Sequence, residues 1–553
     1  MKTLTRGEIE NITTENFIEA EIKKDMLKYG LDHIITRFPP EPNGYMHVGH
    51  LKGVFINFAM SDKFGGYTNL RFDDTNPKKE DVEYVNGWQE DIHWIGYQWE
   101  NLVFASDTYE KMYDCAVTLI KKGLAYVDDL TPEQINEYRG TFTEPGKESP
   151  FRNRSVEENL RLFKEMREDK FADGEKCLRA KIDMSSPNMN MRDPVIYRID
   201  HTAHYRQGAK WCIYPLYDFA HPLEDAFENI THSLCSDDFE DHRPLYEWVV
   251  NNCDLPNKIK PRQIEFARTN ITNTITGKRY LRKLIEMGKA TGWDDPRFPT
   301  IRGLRKRGYT PSSLRDFVSR IGVAGAVVDS SLLEYCIRNE LNSTATRAMA
   351  VLDPIKVIIT NYEGSEIVEI ENNPNDESAG THKTTFGREL YIEREDFMED
   401  APNKYFRLKP DGVVRLKGAY IIRCDKVVKD KNGNIDHIEC TYFKESKSGN
   451  DTSGIKVKGT IHWVNANTCI DITVNQFGTL FRPDVKFEKD NLEEVFNPDS
   501  WTIVNAKAEE YIGECPEGSR FQFIRKGYYY LVSKTDGKIE FNQTVSLKDS
   551  FNK

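Results

Sequence analysis

From the N-terminus, apolar positions recur first at helical spacing, over residues 17–29, and then as a short buried-strand pattern, His-Ile-Ile-Thr, at 33–36. Residues 54–60 form an apolar run that suits a helix, and 69–72 read as a second strand ending in a turn with two carboxylates, Asp73-Asp74-Thr75-Asn76-Pro77. Helices are predicted over 109–122 and 132–138, the latter opened by a capping-box pattern with proline at its first position, Thr131-Pro132-Glu133-Gln134. Strands follow at 177–184 and 195–199. The run Trp-Cys-Ile-Tyr-Pro-Leu-Tyr-Asp-Phe at 211–219 reads as strand, with a helix at 222–228, a strand at 230–234, a helix at 244–253 and a strand at 263–268. Strands alternating with helices predict an α/β fold with a doubly wound, Rossmann-type parallel sheet. Helical spacing continues through 280–287, 311–321 and 331–338.

Beyond about residue 354 the period changes. Short alternating runs stand at 355–359, 389–392, 413–416, 419–422, 438–442, 455–464 and 521–532, punctuated by Asn432-Gly433 and Asp536-Gly537, and predict antiparallel β-barrels.

Composition narrows the function classes. A chain of 553 residues allows roughly three to five domains. Its net charge of -12 argues against a general nucleic-acid binder, so RNA would have to be met by local patches such as Arg302, Arg305, Lys306 and Arg307. The ten cysteines include no C-x-x-C pair, so neither protein-bound zinc nor a disulfide framework is expected, and reduced cytoplasmic thiols are the default. No run approaches the roughly 18 apolar residues of a membrane helix, and the first 17 residues lack an apolar core; no membrane partner is expected.

The chemistry concentrates at residues 37–53, RFPPEPNGYMHVGHLKG, on a strand-to-helix turn. Pro39, Pro40 and Pro42 exclude helix and stiffen the turn, while Asn43-Gly44 tolerates positive φ. His47 and His50 stand three apart at the helix start, beside amide donors and the positive end of the helix dipole, and Gly49 lets a ligand approach the backbone. An anion such as ATP is the natural guest. This string resembles the first signature of class I aminoacyl-tRNA synthetases, in the form used by the glutamine and glutamate enzymes.

The resemblance implies a domain plan: an N-terminal extension at 1–32, a nucleotide-binding catalytic domain at 33–101 and 211–270, an inserted acceptor-binding domain at 102–210, a helical connector at 271–345, and two anticodon-binding β-barrels at 346–553. It implies catalysis by His47, His50 and Lys278, without a covalent nucleophile or a protein-held metal. ATP, as its magnesium complex, would be met by Glu41, Pro42, Asn43, His47, Val48, Gly49, His50, Leu51, Lys52, Gly53, Ser236, Arg268, Thr269, Thr276, Gly277 and Lys278. The second signature usually reads Met-Ser-Lys and here reads Thr276-Gly277-Lys278, which keeps the lysine, loses a hydroxyl and is expected to loosen the loop. Asp241, Asp316, Arg320, Arg347, Arg407, Arg415, Lys417, Gln522 and Arg525 fall on positions that contact tRNA in the family, Lys417 replacing an arginine common there.

Substrate choice is argued from the pocket. The resemblance places Arg37, Asp73, Tyr217, Cys235 and Gln263 around the amino acid, with Asp73 holding the ammonium. At Cys235 glutamate enzymes carry an arginine that would pair with a side-chain carboxylate, so its absence favours a neutral carboxamide. The partners expected are therefore L-glutamine, ATP and tRNA(Gln), and the chain is expected to be a monomer.

Overall fold

The computed structural model describes residues 2–548 apart from Asn273, Thr276, Pro483 and Lys489, and only the main chain of Ala326. The chain divides into two compact units, Met1–Thr272 with Val318–Val328, and Asn273–Phe317 with Asp329–Lys553.

The first unit is built on parallel strands. Ile34–Phe38 pairs with Gly66–Phe72, which pairs with Leu102–Phe104. A second parallel ladder joins His232–Ser236 to Arg262–Phe266. The two ladders meet where Thr231 N donates to Ile35 O at 3.0 Å and Ile35 N donates to Thr231 Oγ1 at 2.9 Å. The resulting order, with the first strand central and later strands added on either side, is the doubly wound arrangement whose ligands bind at the carboxyl ends of the strands. Ile34, Ile56, Met60, Leu234, Ile264 and Phe266 share one core with Ile18, Ile22 and Met26 of the helix Phe17–Tyr29. That helix is capped by Asn16 and stopped by Gly30 in the left-handed conformation.

Between the ladders sits an antiparallel sheet of Ala125–Asp128, Cys177–Ala180, Val195–Ile199 and Ile213–Pro215. Here the expected strand at 211–219 is corrected. Only Ile213–Pro215 is strand, it belongs to this antiparallel sheet, and a helix runs from Tyr217 to Phe227 with Pro222 in its interior. Phe219, Ala220, Leu223 and Ala226 bury one face of that helix. A strand and a helix start, both apolar and nearly contiguous, read as a single run.

In the second unit two seven-stranded sheets each mix four antiparallel pairs with two parallel ones among the described residues. The end strands of one are Thr346–Ala348 and Ala350–Val351; those of the other are Thr460–Ile461 and Val464–Asn465. Because the two ends of each sheet are neighbours in the chain, each sheet curls into a barrel, and closure brings in the parallel pairs that hairpins alone do not make. The cores are separate, one around Trp463, Phe386 and Leu390 and the other around Phe521, Phe523 and Phe541. Asp536 and Gly537, at φ 52° and 76°, make the expected tight hairpin turn. The run at 521–532 is instead two strands, Arg520–Phe523 and Gly527–Thr535, reversed at Arg525 with φ 69°. No described helix is long and apolar enough to cross a membrane.

Candidate active site

The opening strand hands its chain to a short 3-10 turn, Val48–His50, that continues as the helix Leu51–Phe64. His47 caps the turn: Gly49 N donates to its Nδ1 at 3.1 Å, and His47 N donates to His50 Nδ1 at 3.1 Å. With both Nδ1 atoms accepting, each imidazole carries its proton on Nε2. The rings lie 3.7 Å apart between centroids, and His50 meets the edge of Trp88, itself tied by Nε1 to Gly44 O at 2.9 Å. The result is a pre-set pair of N–H donors at a helix start, suited to phosphate oxygens. A side chain at Gly49 would meet the His47 ring at 3.0 Å, so glycine leaves room for the histidine as well as for a ligand.

Other members of the string serve the fold. Lys52 is buried and its Nζ donates to Ala267 O, to Val323 O at 3.2 Å and to Ala324 O at 3.2 Å. An ammonium with three donors on three carbonyls is a tie between segments, which corrects its expected place on ATP. Val48 and Leu51 are buried, and Gly53 packs under Phe38 and Phe266. Glu41 is exposed, its carbonyl taking Asn43 N at 2.8 Å, while Pro42 O takes Asp81 N at 3.1 Å. Arg268 is exposed and paired with Asp238 at 3.1 Å; Thr269, next to it, has a buried Oγ1 without a hydrogen-bond partner. Ser236 closes the strand His232–Ser236.

The same end of the sheet carries a charged network. Asp73 N donates to Pro40 O at 3.1 Å, and the Asp73 carboxylate takes Arg71 Nε at 3.0 Å. Burial pushes the Asp73 carboxyl up to about 6 against the pull of Arg71 and Arg37. Tyr217, the first residue of its helix, stacks on His221 at 5.0 Å and lies 5.3 Å from Phe239. Burial, with Asp73 nearby, raises its hydroxyl well above its ordinary range. Cys235 is pushed up to about 12 by burial, so its thiol is neutral. Gln263 spends its amide hydrogens on Phe239 O at 3.1 Å and Glu265 Oε1 at 2.7 Å, which leaves its carbonyl as an acceptor.

Arg37 differs from expectation. It is fully buried, with Nε on Asp225 at 2.8 Å, Nη1 on Leu234 O at 2.9 Å, and Nη2 on Ser233 Oγ at 2.8 Å and His221 Nε2 at 2.9 Å. Burial alone would raise the Asp225 carboxyl, yet Arg37, His221 and Arg71 hold it well below the usual range. Arg37 is therefore a neutralised member of the interior rather than an open pocket wall. A cation does stand within electrostatic reach of Cys235, but its counter-ion is already supplied.

The description "tRNA synthetases class I (E and Q), catalytic domain" matches residues 33–343, and two "anti-codon binding domain" descriptions of the same class match 345–443 and 460–532. The chain belongs to the class I tRNA synthetases of the E and Q type. It is 57% identical over 545 residues to a glutamine--tRNA ligase of Clostridium perfringens, covering 97% of this chain and 98% of that one. A glutamine--tRNA ligase of Clostridium kluyveri is 53% identical over 98% and 99% of the two chains, and one of Rhodopirellula baltica 52% identical over 98% and 91%. Among solved structures, a glutamate tRNA ligase of Elizabethkingia meningosepticum covers 56% of this chain and 70% of its own at 16% identity and a TM-score of 0.41, too distant to inform the substrate.

The remaining family positions lie apart from this pocket along the chain. Thr276 lies outside the described residues. Gly277 caps the helix Lys278–Glu286 of the second unit; a Cβ there would meet the Tyr280 ring at 2.9 Å, so glycine in place of serine matches the tyrosine three residues on. Asp241 offers its carbonyl to Asn188 at 2.7 Å and to Asn190 at 3.2 Å, and Asp316 and Arg320 stand one turn apart on Pro311–Ile321. Arg347 is buried against Ala345 O and Asn342 O, both at 2.8 Å. Arg407 and Arg525 reach Asp396, Arg415 reaches Asp451 and Ser446 O, and Gln522 donates to Tyr528 OH at 3.0 Å. Lys417 is half-buried beside Trp463, whose Nε1 donates to its carbonyl at 2.9 Å.

Sequence reasoning missed Arg71, His221 and Asp225. His221 sits four residues after Tyr217 and Asp225 four further on, a helical spacing that becomes visible only once the helix is placed at 217. Arg71 precedes Asp73 by two on an extended segment, which puts both on one face. Asp169, His201 and Cys212 also bring ligand-type atoms within 4.8 Å of one another among the described residues, an arrangement that His201, clasped by Asp169 at 2.6 Å and by Asp173, explains without an ion.

Proposed function

We infer that the chain acts as a glutamine--tRNA ligase: it joins glutamine to ATP with release of pyrophosphate, then passes the aminoacyl group to the terminal ribose of tRNA(Gln). The observation that carries this reading is near-full-length likeness to glutamine--tRNA ligases at 52% to 57% identity. The pocket supports it. A neutral thiol at Cys235, a Gln263 carbonyl left as acceptor and an Arg37 already paired with Asp225 favour a carboxamide, which donates two hydrogens, over a carboxylate, which donates none.

In this reading the glutamine ammonium lies against Asp73, and the α-carboxylate attacks the α-phosphate of ATP. His47 and His50, their rings fixed by hydrogen bonds to Nδ1, and Lys278 stabilise charge on the phosphates and the departing pyrophosphate. The ribose hydroxyl then attacks the adenylate carbonyl and AMP leaves. Magnesium would accompany ATP as part of the substrate, neutralising phosphate charge without a protein cage. In the second unit the barrel residues Arg407, Arg415, Lys417, Gln522 and Arg525 read the anticodon arm, while Arg347, buried with its terminal nitrogens on Ala345 O and Asn342 O, is corrected from a tRNA contact to a support within the fold.

The test is aminoacylation of a tRNA(Gln) transcript with glutamine and glutamate in parallel. Glutamine charging that falls about 100-fold or more in Lys278→Ala, with unfolding unchanged, is the expected result. Charging with glutamate alone would overturn the substrate assignment.

A further inference from the structure

Arg407 and Arg525 come from different barrels, yet both end on one carboxylate. Asp396 closes a short 3-10 turn, Arg394–Asp396, after the strand Glu389–Glu393 of the first barrel, and its side chain is fully buried. Both terminal nitrogens of Arg525 donate to it at 2.7 Å, and Arg407 Nη1 reaches it at 3.0 Å. Its own main chain holds the Arg407 loop, because Leu408 N donates to Asp396 O at 3.0 Å. Arg525 reverses the chain between two strands of the second barrel in the left-handed conformation at φ 69°, which side-chain-bearing residues adopt seldom. Beside them Lys526 faces Glu395 at 3.1 Å and Glu393 at 3.5 Å.

The arginines are not buried with their partner: their side chains remain 39% and 26% exposed. Each guanidinium has five N–H donors, and the grip on Asp396 uses only part of that set. Two planar forks are thus fixed side by side with donors to spare. Free arginines would each lose rotamer freedom on ordering, and a carboxylate that orders them beforehand removes much of that cost from binding.

We propose that Asp396 is a positioning residue for RNA recognition, setting the guanidiniums of Arg407 and Arg525 at a fixed spacing across the two barrels so that they discriminate the bases of the anticodon. The proposal rests on the function inferred above. It separates Asp396 from a plain strut between barrels, which would alter stability alone, and from a mask, which would weaken RNA binding by occupying the arginines.

The experiment uses the full chain with Asp396→Asn, which keeps shape and removes charge, and measures glutamine charging of a tRNA(Gln) transcript and of one with a single anticodon base changed. KM for tRNA is expected to rise about tenfold, kcat at saturating tRNA to stay within about twofold, and discrimination against the altered anticodon to fall by a similar tenfold. A folded variant with unchanged KM and discrimination overturns the proposal, as does tighter binding of tRNA. Should Asp396→Asn fail to fold, Arg525→Lys decides: loss of discrimination comparable to Arg525→Ala supports positioning, because lysine keeps charge but not the two-pronged grip, whereas near-native discrimination overturns it. If the unaltered chain does not charge glutamine, the proposed function fails; if it does and the variants match it, only the role of Asp396 fails.

Discussion

Two groups of arginines in this molecule are paired with aspartates in opposite ways. In the first unit Arg37 and Arg71 are wholly inside, sharing Asp225 at 2.8 Å each, with Arg71 also on Asp73 and Glu228. In the second unit Arg407, Arg415 and Arg525 keep one edge in solvent while a carboxylate holds the other. The donors of the interior set are taken up by Asp225, Asp73, Glu228, His221 and Ser233 and are not open to a ligand. The barrel set is ordered but still able to bond outward. Burial thus decides whether an ion pair builds a pocket or presents one.

The largest expected contrast is in stability. Arg37→Ala should destabilise the protein by about 3–5 kcal/mol by taking from the interior one of the two guanidiniums on Asp225 and the donor to Leu234 O, Ser233 and His221, whereas Arg407→Ala should cost less than about 1 kcal/mol, both read by chemical denaturation. Equal losses would erase the distinction between the two groups. Next comes substrate choice. Cys235→Arg adds a cation beside carboxylates that are already paired, Glu265 with Arg243 and Asp225 with Arg37, and the ratio of glutamate to glutamine kcat/KM should rise by about tenfold or more. No change would mean that the network already governs selection without Cys235.

A third outcome concerns pH. Asp73 is ionised above about 6, and only the ionised form attracts an ammonium, so kcat/KM for glutamine should fall as pH drops through about 6. A flat profile from pH 5 to 8 would show that Arg71 holds Asp73 ionised throughout. The smallest effect expected is at Gly277: alanine there must displace Tyr280, and a loss of glutamine charging of about threefold, or about 0.7 kcal/mol, is anticipated in a steady-state assay.

Much of the fold was legible where its signals are local. The strand and turn at 34–50 declare themselves through apolar residues, three prolines and Asn-Gly within a short window, and the Asp536-Gly537 hairpin through a dipeptide with one conformational use. The helix at 217 was not legible, since strand and helix residues there are equally apolar across the join. The reversal at Arg525 was hidden because an arginine is a poor sign of a positive φ; its partner, Asp396, lies 129 residues away. Lys52 was misplaced for the same reason, because its carbonyl partners at Ala267, Val323 and Ala324 are more than 200 positions distant.

By itself the sequence determined the family, the alternation of strand and helix, the change to short strands near residue 354 and the residue types of the site, all of which are written in neighbouring positions. The tertiary structure alone decided which charges are spent and which remain available. Arg37 and Arg525 are identical side chains, and only their surroundings make one a silent interior partner of Asp225 and the other a partly exposed fork on Asp396. Charge is a property of the residue, but its strength depends on burial and on partners that folding brings from far along the chain.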